Sequence, residues 1–142
     1  MHRLAPLVLL ALVPACLWRS YGDVMRVHLE VLESLADKAA GNVAVGQRPT
    51  NNDVTELTYP LQRARQFAYQ YRDDAARASY HRFLEALDRY QAMVDAIDAA
   101  RGDDARWATE REALPGQAAA WRAAAAQTRD ALIAEGYVAA RR

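Results

Sequence analysis

The residues that could carry metal or haem chemistry are few and scattered. Di-iron bundles need Glu-x-x-His on two helices, but Met25 and Ala78 stand three positions before His28 and His81. Met25 with His28, and His81 with Glu85, share helix faces, yet each pair lacks the further ligands that a bound metal requires. Covalent haem attachment needs Cys-x-x-Cys-His, which the sequence lacks. We therefore expect neither a metal site nor a cofactor.

Nucleophilic catalysis needs a base beside an activated nucleophile, and no such pairing stands out. The serines occupy ordinary helical or capping contexts: Ser20, Ser34 and Ser79. Many carboxylates have an arginine four residues on, as in Asp73 with Arg77 and Glu85 with Arg89, which is typical of a solvated helix face. The sequence thus predicts no catalytic residues and a protein that is not an enzyme.

Charge argues against nucleic acid as a partner. The chain has 18 basic and 18 acidic residues, interleaved along its length. Nucleic-acid binders usually present a basic stripe, because phosphate contacts dominate their affinity. We expect no nucleic-acid binding.

A group of arginine and tyrosine residues is the most promising partner surface. Arg65, Tyr69 and Arg72 should share a helix face that is separate from the apolar seam. Tyrosine and arginine are enriched among residues that dominate protein–protein binding energy. We expect these three residues to bind a partner protein, the alternative being ordinary amphipathic surface residues.

The N-terminal residues have the pattern of an export signal. Arg3 precedes a short apolar run, and small residues lead up to Cys16, the only cysteine of the chain. Val13 and Ala15 stand three and one positions before this cysteine, so Val13-Pro14-Ala15-Cys16 resembles the lipobox of bacterial lipoproteins. The resemblance covers about sixteen residues. It implies that residues 1–15 are a signal peptide and that Cys16 is lipidated, leaving residues 16–142 as a single domain.

The resemblance also implies a location in the cell envelope. A lipid on Cys16 would tether the protein to a membrane face. Leu17 follows the cysteine where enterobacterial inner-membrane lipoproteins have aspartate, which implies the outer membrane, facing the periplasm. Three alternatives stay open: cleavage after Ala15 without lipid, an uncleaved anchor over residues 4–18, and a buried N-terminal helix of a cytosolic protein.

Three amphipathic segments follow the signal, so the sequence predicts an all-α fold. The first, residues 21–40, should begin near a Ser20–Asp23 capping pair and end at Gly41. Its predicted inward positions are Val24, Val27, Val31 and Leu35, with Leu32 beside them. Residues 41–52 are predicted to be a loop, rich in glycine, proline and asparagine.

The second segment, residues 53–101, carries two apolar seams that are out of phase. The first seam comprises Val54, Leu57, Leu61, Ala64, Ala68 and Tyr71; the second comprises Tyr80, Phe83, Leu87, Tyr90, Val94 and Ile97. No glycine or proline lies between residues 61 and 101. We therefore favour one long helix within an elongated three-helix assembly. A break near Asp73 would instead give a four-helix bundle.

The third segment runs from the Gly102-Asp103-Asp104 turn to about Glu135, with an interruption at Pro115-Gly116. Its predicted inward positions are Trp107, Leu114, Trp121, Thr128, Leu132 and Ile133. Because the preceding connection is short, Leu87 and Trp121 should be buried against each other's helices in an antiparallel hairpin.

These features together predict a tethered helical lipoprotein that binds or scaffolds another envelope protein. The alternative is a helical bundle that binds a small ligand, haem or a metal between its helices.

Overall fold

The fold is entirely helical in the part of the chain that is described. The computed structural model describes the backbone of residues 5–74 and 77–138, and the side chains of 21–73 and 77–138. It contains four helices, α1 (Ala5–Ala44), α2 (Asn51–Gln70), α3 (Ala78–Arg101) and α4 (Asp104–Ala134), and a short 3₁₀ turn at Arg72–Asp74. No strand occurs within these limits, so the all-α prediction is confirmed.

The four helices form a ring around one apolar core. Helix α1 packs against α2 and α4, α3 packs against the same two helices, and α1 meets α3 across the middle. Each connection is short, so consecutive helices run antiparallel, as in an up-down-up-down bundle. The core draws on all four helices, with Leu29, Leu61, Leu87 and Trp121 almost completely buried.

The expected continuous central helix is wrong, and the four-helix alternative is correct. Helix α2 ends at Gln70 and α3 begins at Ala78. The Tyr80 hydroxyl donates a hydrogen bond to the Ala68 carbonyl at 3.1 Å, which links the start of α3 to the last turn of α2. A straight helix would carry the out-of-phase second seam away from the core, and the turn lets both seams face inward. Their members are buried, except for the half-buried Val54 and Tyr71.

The inward face of α1 was also wrongly predicted. Val24, Val27 and Val31 are exposed and Leu35 is half-buried. The buried row is Tyr21, Met25, Leu29, Leu32 and Ala36. Two apolar rows with helical spacing run along α1, and the larger side chains face the core because they bury more apolar area.

Helix α1 continues past its predicted end at Gly41 to Ala44. Gly46 has a φ of +81°, its amide donates to the Val43 carbonyl, and the Gln47 amide donates to Asn42. This is a Schellman termination, which needs a left-handed residue where Gly46 stands. Only residues 45–50 then connect α1 to α2, fewer than the predicted loop of 41–52. The predicted start at Ser20–Asp23 is wrong as well, because α1 is already helical there.

Helix α4 runs through the predicted interruption at Pro115-Gly116. Arg111, Pro115 and Gly116 are all exposed, so the carbonyl that loses its partner at Pro115 can bond to water. Leu114, Trp121, Thr128 and Leu132 are buried as predicted, whereas Trp107 is half-buried and Ile133 is exposed. Leu87 and Trp121 lie in the α3–α4 hairpin with no exposed surface, which confirms that expectation.

Candidate functional site

Tyr69 and Arg72 form an exposed aromatic–cation pair at the end of α2. The Tyr69 side chain is 66% exposed, and the Arg72 guanidinium carbon lies 4.3 Å from its ring centroid. Arg72 Nη1 also donates to the Tyr69 carbonyl at 3.1 Å. The guanidinium is therefore fixed over the ring by two contacts. A large aromatic surface and an ordered cation are thus presented together to solvent.

Arg65 is directed away from this pair. Its Nη2 donates to Asp88 Oδ1 at 3.0 Å, which ties α2 to α3. The three residues predicted as a partner surface thus divide into an exposed pair and an inter-helix ion pair. Arg65 can border a partner, but its charge is already matched by Asp88.

Neither of the two described histidines, His28 and His81, lies in a cluster of potential metal ligands. His28 is half-buried beside Phe67, with ring centroids 5.2 Å apart, and burial together with the Arg63 charge lowers its pKa. His81 is exposed on α3. No group of three or more His, Cys, Asp or Glu residues able to hold a metal ion occurs among the described residues.

A buried polar cluster closes the end of the bundle where α2, α3 and α4 meet α1. The hydroxyls of Tyr21 and Ser79 lie 3.2 Å apart, and the Ser79 amide donates to Glu135 Oε1 at 3.0 Å. The Arg77 guanidinium carbon lies 5.3 Å from the ring centroid of Tyr21 and 5.0 Å from that of Tyr137.

This cluster contains a serine, a tyrosine and a carboxylate, which are groups that catalysis can use. Tyr21 and Ser79 are almost completely buried, so a substrate has no access to their hydroxyls. Burial raises the pKa of Tyr21 to about 12, so this phenol stays neutral at physiological pH. The hydrogen bonds of the cluster instead hold the ends of α1, α3 and α4 together.

A crevice lies where the α1–α2 connection folds over the bundle. It encloses about 400 Å³, open solvent at its mouth included, and Leu35, Val43, Leu57 and Ile97 form part of its apolar wall. Its charged residues already bind within the chain: Lys38 with Glu56 at 2.7 Å, Arg48 with Asp104 at 2.5 Å, and Asp53 with Thr50 at 2.7 Å. Each of these charged side chains therefore has a partner within the chain, while Arg48 Nε is buried without a hydrogen-bond partner.

A shallow groove runs along the outer side of α1 and α2. Val31, Ser34 and Leu35 line it from α1; Thr55, Glu56, Tyr59 and Pro60 line it from α2. Sequence reasoning missed this surface because it assigned the outer valines of α1 to the core. The signal that could have revealed it is the second apolar row beginning at Tyr21 and Met25, since one helix face cannot hold both rows.

The predicted lipidation site lies at the edge of what the structure describes. Cys16 falls on the helical backbone of α1, but its side chain lies outside the described residues, as does the start of the signal segment. Across the described part of the chain, no helix combines the length and apolar character needed to cross a membrane.

No protein-family model matches this chain, and neither a curated protein nor a solved structure matches it. A function must therefore be argued from the surfaces themselves.

Proposed function

We propose that this chain is an exported, membrane-tethered helical module that binds another envelope protein and has no catalytic activity of its own. The exposed Tyr69–Arg72 pair carries the binding part of the proposal. Burying a tyrosine in a partner removes a large amphipathic surface from water. Because the stacking already restrains Arg72, binding orders fewer side-chain rotamers and so costs less entropy.

The proposed location at a membrane rests on the lipobox-like Val13-Pro14-Ala15-Cys16. With a lipid on Cys16, the protein is held at a membrane, in the first instance the periplasmic face of the outer membrane. The first core residue of α1 whose side chain is described is Tyr21, about 8 Å along the helix from Cys16 at 1.5 Å per residue. The bundle then stands close to the membrane with little free linker.

The partner is tested by photo-crosslinking from single positions in the native envelope. A photoreactive amino acid at position 69 should capture one defined partner, whereas the same group at Gln62, an exposed residue of the same helix, should not. Tyr69→Ala and Arg72→Ala should each reduce co-purification of that partner. Equal capture from positions 62 and 69 would contradict the proposal that the partner binds at the Tyr69–Arg72 pair.

The tether is tested by metabolic lipid labelling of Cys16→Ser. We expect the label to be lost and the protein to leave the membrane fraction. Unchanged membrane retention of the unlabelled variant would instead support an uncleaved N-terminal anchor.

An absorption spectrum and metal analysis of the purified protein test the alternative function, because a Soret band or stoichiometric metal would favour a ligand-binding bundle.

A further inference from the structure

The Tyr69–Arg72 pair lies at the end of the bundle from which α1 leads to Cys16. The ring of Tyr71, two residues after Tyr69, has its centroid 5.0 Å from that of Tyr21. Tyr21 follows Cys16 on the same helix, about 8 Å along its axis. Crossing to a neighbouring helix adds roughly 8–10 Å. The pair therefore lies within about 20 Å of Cys16, whatever the tilt of the bundle.

The opposite end of the bundle is a full helix length farther from Cys16. Helix α2 has 20 residues, so its first residue, Asn51, lies about 30 Å from its last, Gln70. The α1–α2 connection and the α3–α4 turn meet at this far end, where Arg48 binds Asp104. A tether at Cys16 thus holds the Tyr69–Arg72 pair beside the lipid, but it does not hold the far end there.

The side chains at the near end suit the boundary between lipid and water. Tyr69 is exposed, and Tyr71 and Tyr137 are half-buried. The ring centroid of Tyr137 lies 4.9 Å from that of Tyr21, so the segment after α4 belongs to the same layer. Tyrosine is enriched at this boundary in membrane proteins, because its ring is apolar and its hydroxyl is hydrated. The residue types at this end therefore agree with a position at the level of the lipid headgroups.

The closeness of the pair to the lipid restricts the kind of protein that can bind it. With α1 upright on the membrane, the level of Tyr21 is only about 8 Å above Cys16. A folded domain of about 100 residues has a radius of gyration of about 13 Å, so a soluble domain centred beside the pair would overlap the lipid. It avoids the lipid only by shifting along α2 over Gln62, which the proposed function leaves outside the contact. A protein that emerges from the membrane beside α2 reaches the pair without this overlap.

We infer that the partner of the Tyr69–Arg72 pair is a protein held in the same membrane, contacted where it leaves the lipid. The inference rests on the proposed function, since it takes the tether at Cys16 and the binding role of the pair as given. The Arg72 guanidinium, 4.3 Å from the Tyr69 ring centroid, offers its remaining N–H donors to carboxylates or backbone carbonyls of that protein.

The protein captured by a photoreactive amino acid at position 69 of the full-length, tethered chain provides the direct test. After mass spectrometry of the adduct has identified it, the captured protein is followed in cells that lack this chain. We expect it to stay in the membrane fraction through alkaline carbonate extraction, which removes soluble and peripheral proteins. A captured protein that carbonate releases, or that is found in the soluble fraction, overturns the inference.

The place of the cross-link on the captured protein tests the level of the contact. The linked residue should lie next to the segment by which that protein is embedded in, or anchored to, the membrane. A link in a domain remote from that segment overturns the inference. The matched control is the same photoreactive group at Asn52, an exposed position at the far end of α2, which should give no capture above background. Equal capture from positions 52 and 69 would also overturn it.

Failure of this inference and failure of the proposed function give different results. Absence of any adduct at position 69, or capture that Arg72→Ala leaves unchanged, contradicts the proposed function itself. An adduct at position 69 that depends on Arg72 but contains a soluble protein leaves the binding surface intact. That result rejects only the assignment of the partner to the membrane.

Discussion

The carboxylate of Glu135, at the end of α4, caps the beginning of α3 through the backbone amide of Ser79. The Ser79 amide donates to Glu135 Oε1 at 3.0 Å across 56 residues of sequence. Arg77, the N-cap residue of α3, makes no side-chain capping hydrogen bond of its own. Because helix N-termini have open amide donors and favour negative charge, Glu135 supplies what Arg77 cannot.

Removing this distant cap should destabilise the bundle. Glu135→Ala is expected to lower the free energy of unfolding by about 1 kcal/mol, a typical value for loss of an N-cap acceptor. Glu135→Gln keeps an acceptor oxygen and should retain most of that stability. Chemical denaturation measures both changes. Glu112→Ala, an exposed position of the same helix, is the control, and equal losses at 112 and 135 would show that the cap contributes nothing.

Two glycines of α1 should respond to alanine in opposite ways. A Cβ at Gly22 would lie 2.6 Å from Tyr137 Cβ and 2.8 Å from its backbone oxygen, so the segment that follows α4 must shift to admit it. Gly22→Ala is expected to destabilise by roughly 1–3 kcal/mol, as overpacking does. A Cβ at Gly41 meets nothing within 4 Å. Gly41→Ala should stabilise by up to about 1 kcal/mol, because alanine is the better helix former.

Thermal melting of the two alanine variants gives the comparison. The expected order is Gly22→Ala below wild type and Gly41→Ala above it. If Gly22→Ala melts with the wild type, Tyr137 does not pack against α1 as described.

The α3–α4 hairpin should depend on Leu87. This side chain has no exposed surface, so Leu87→Ala leaves a cavity and is expected to cost roughly 2–5 kcal/mol. Arg89 lies two residues away on the exposed face, where it forms an ion pair with Glu85 at 3.3 Å. Arg89→Ala should change the melting temperature little, since such exposed pairs contribute only tenths of a kcal/mol. Similar melting temperatures for the two variants would show that the faces of α3 are wrongly assigned.

Alkaline pH should destabilise the protein through Tyr21. Burial raises the pKa of this phenol from 10.0 to about 12 in the folded chain. The unfolded chain therefore ionises at Tyr21 first, and stability that is complete below pH 10 is lost progressively as pH rises towards 12. Tyr21→Phe removes this titration, so its stability should fall less steeply over the same range. Chemical denaturation at several pH values measures the free energy of unfolding of both proteins. If the wild type and Tyr21→Phe lose stability with pH at the same rate, burial does not raise the pKa of Tyr21.

The sequence predicted the α3–α4 hairpin better than α1, and the reason lies in how many apolar rows each helix carries. Helix α3 has one clear row of large side chains, from Phe83 to Ile97, so its periodicity has a single solution. Helix α1 has two rows, and three valines form the more regular one. Local spacing does not reveal that Tyr21 and Met25 meet the core, because that depends on where α2 and α4 stand.

The break between α2 and α3 was visible only as a shift of phase. No glycine or proline marks it, and the capping contacts at the turn come from distant residues such as Glu135. The structure divides the predicted partner surface into the Tyr69–Arg72 pair and Arg65 for a similar reason. Local spacing puts Arg65 beside Tyr69, but the ion pair with Asp88 depends on how α2 and α3 pack.

The position of α1 between α2 and α4 has a consequence for the order in which the chain acquires structure. Tyr90 and Trp121 meet within one local hairpin, whereas Arg122 binds Asp37 across 85 residues and Arg129 binds Glu33 across 96. Closing so long a loop costs more chain entropy than closing a hairpin. Among the four helices, α1 is synthesised before the others, and α4, which covers one side of it, is synthesised after them. The side of α1 that α4 covers therefore stays open until α4 has emerged, so completion of α4 controls when the bundle can close.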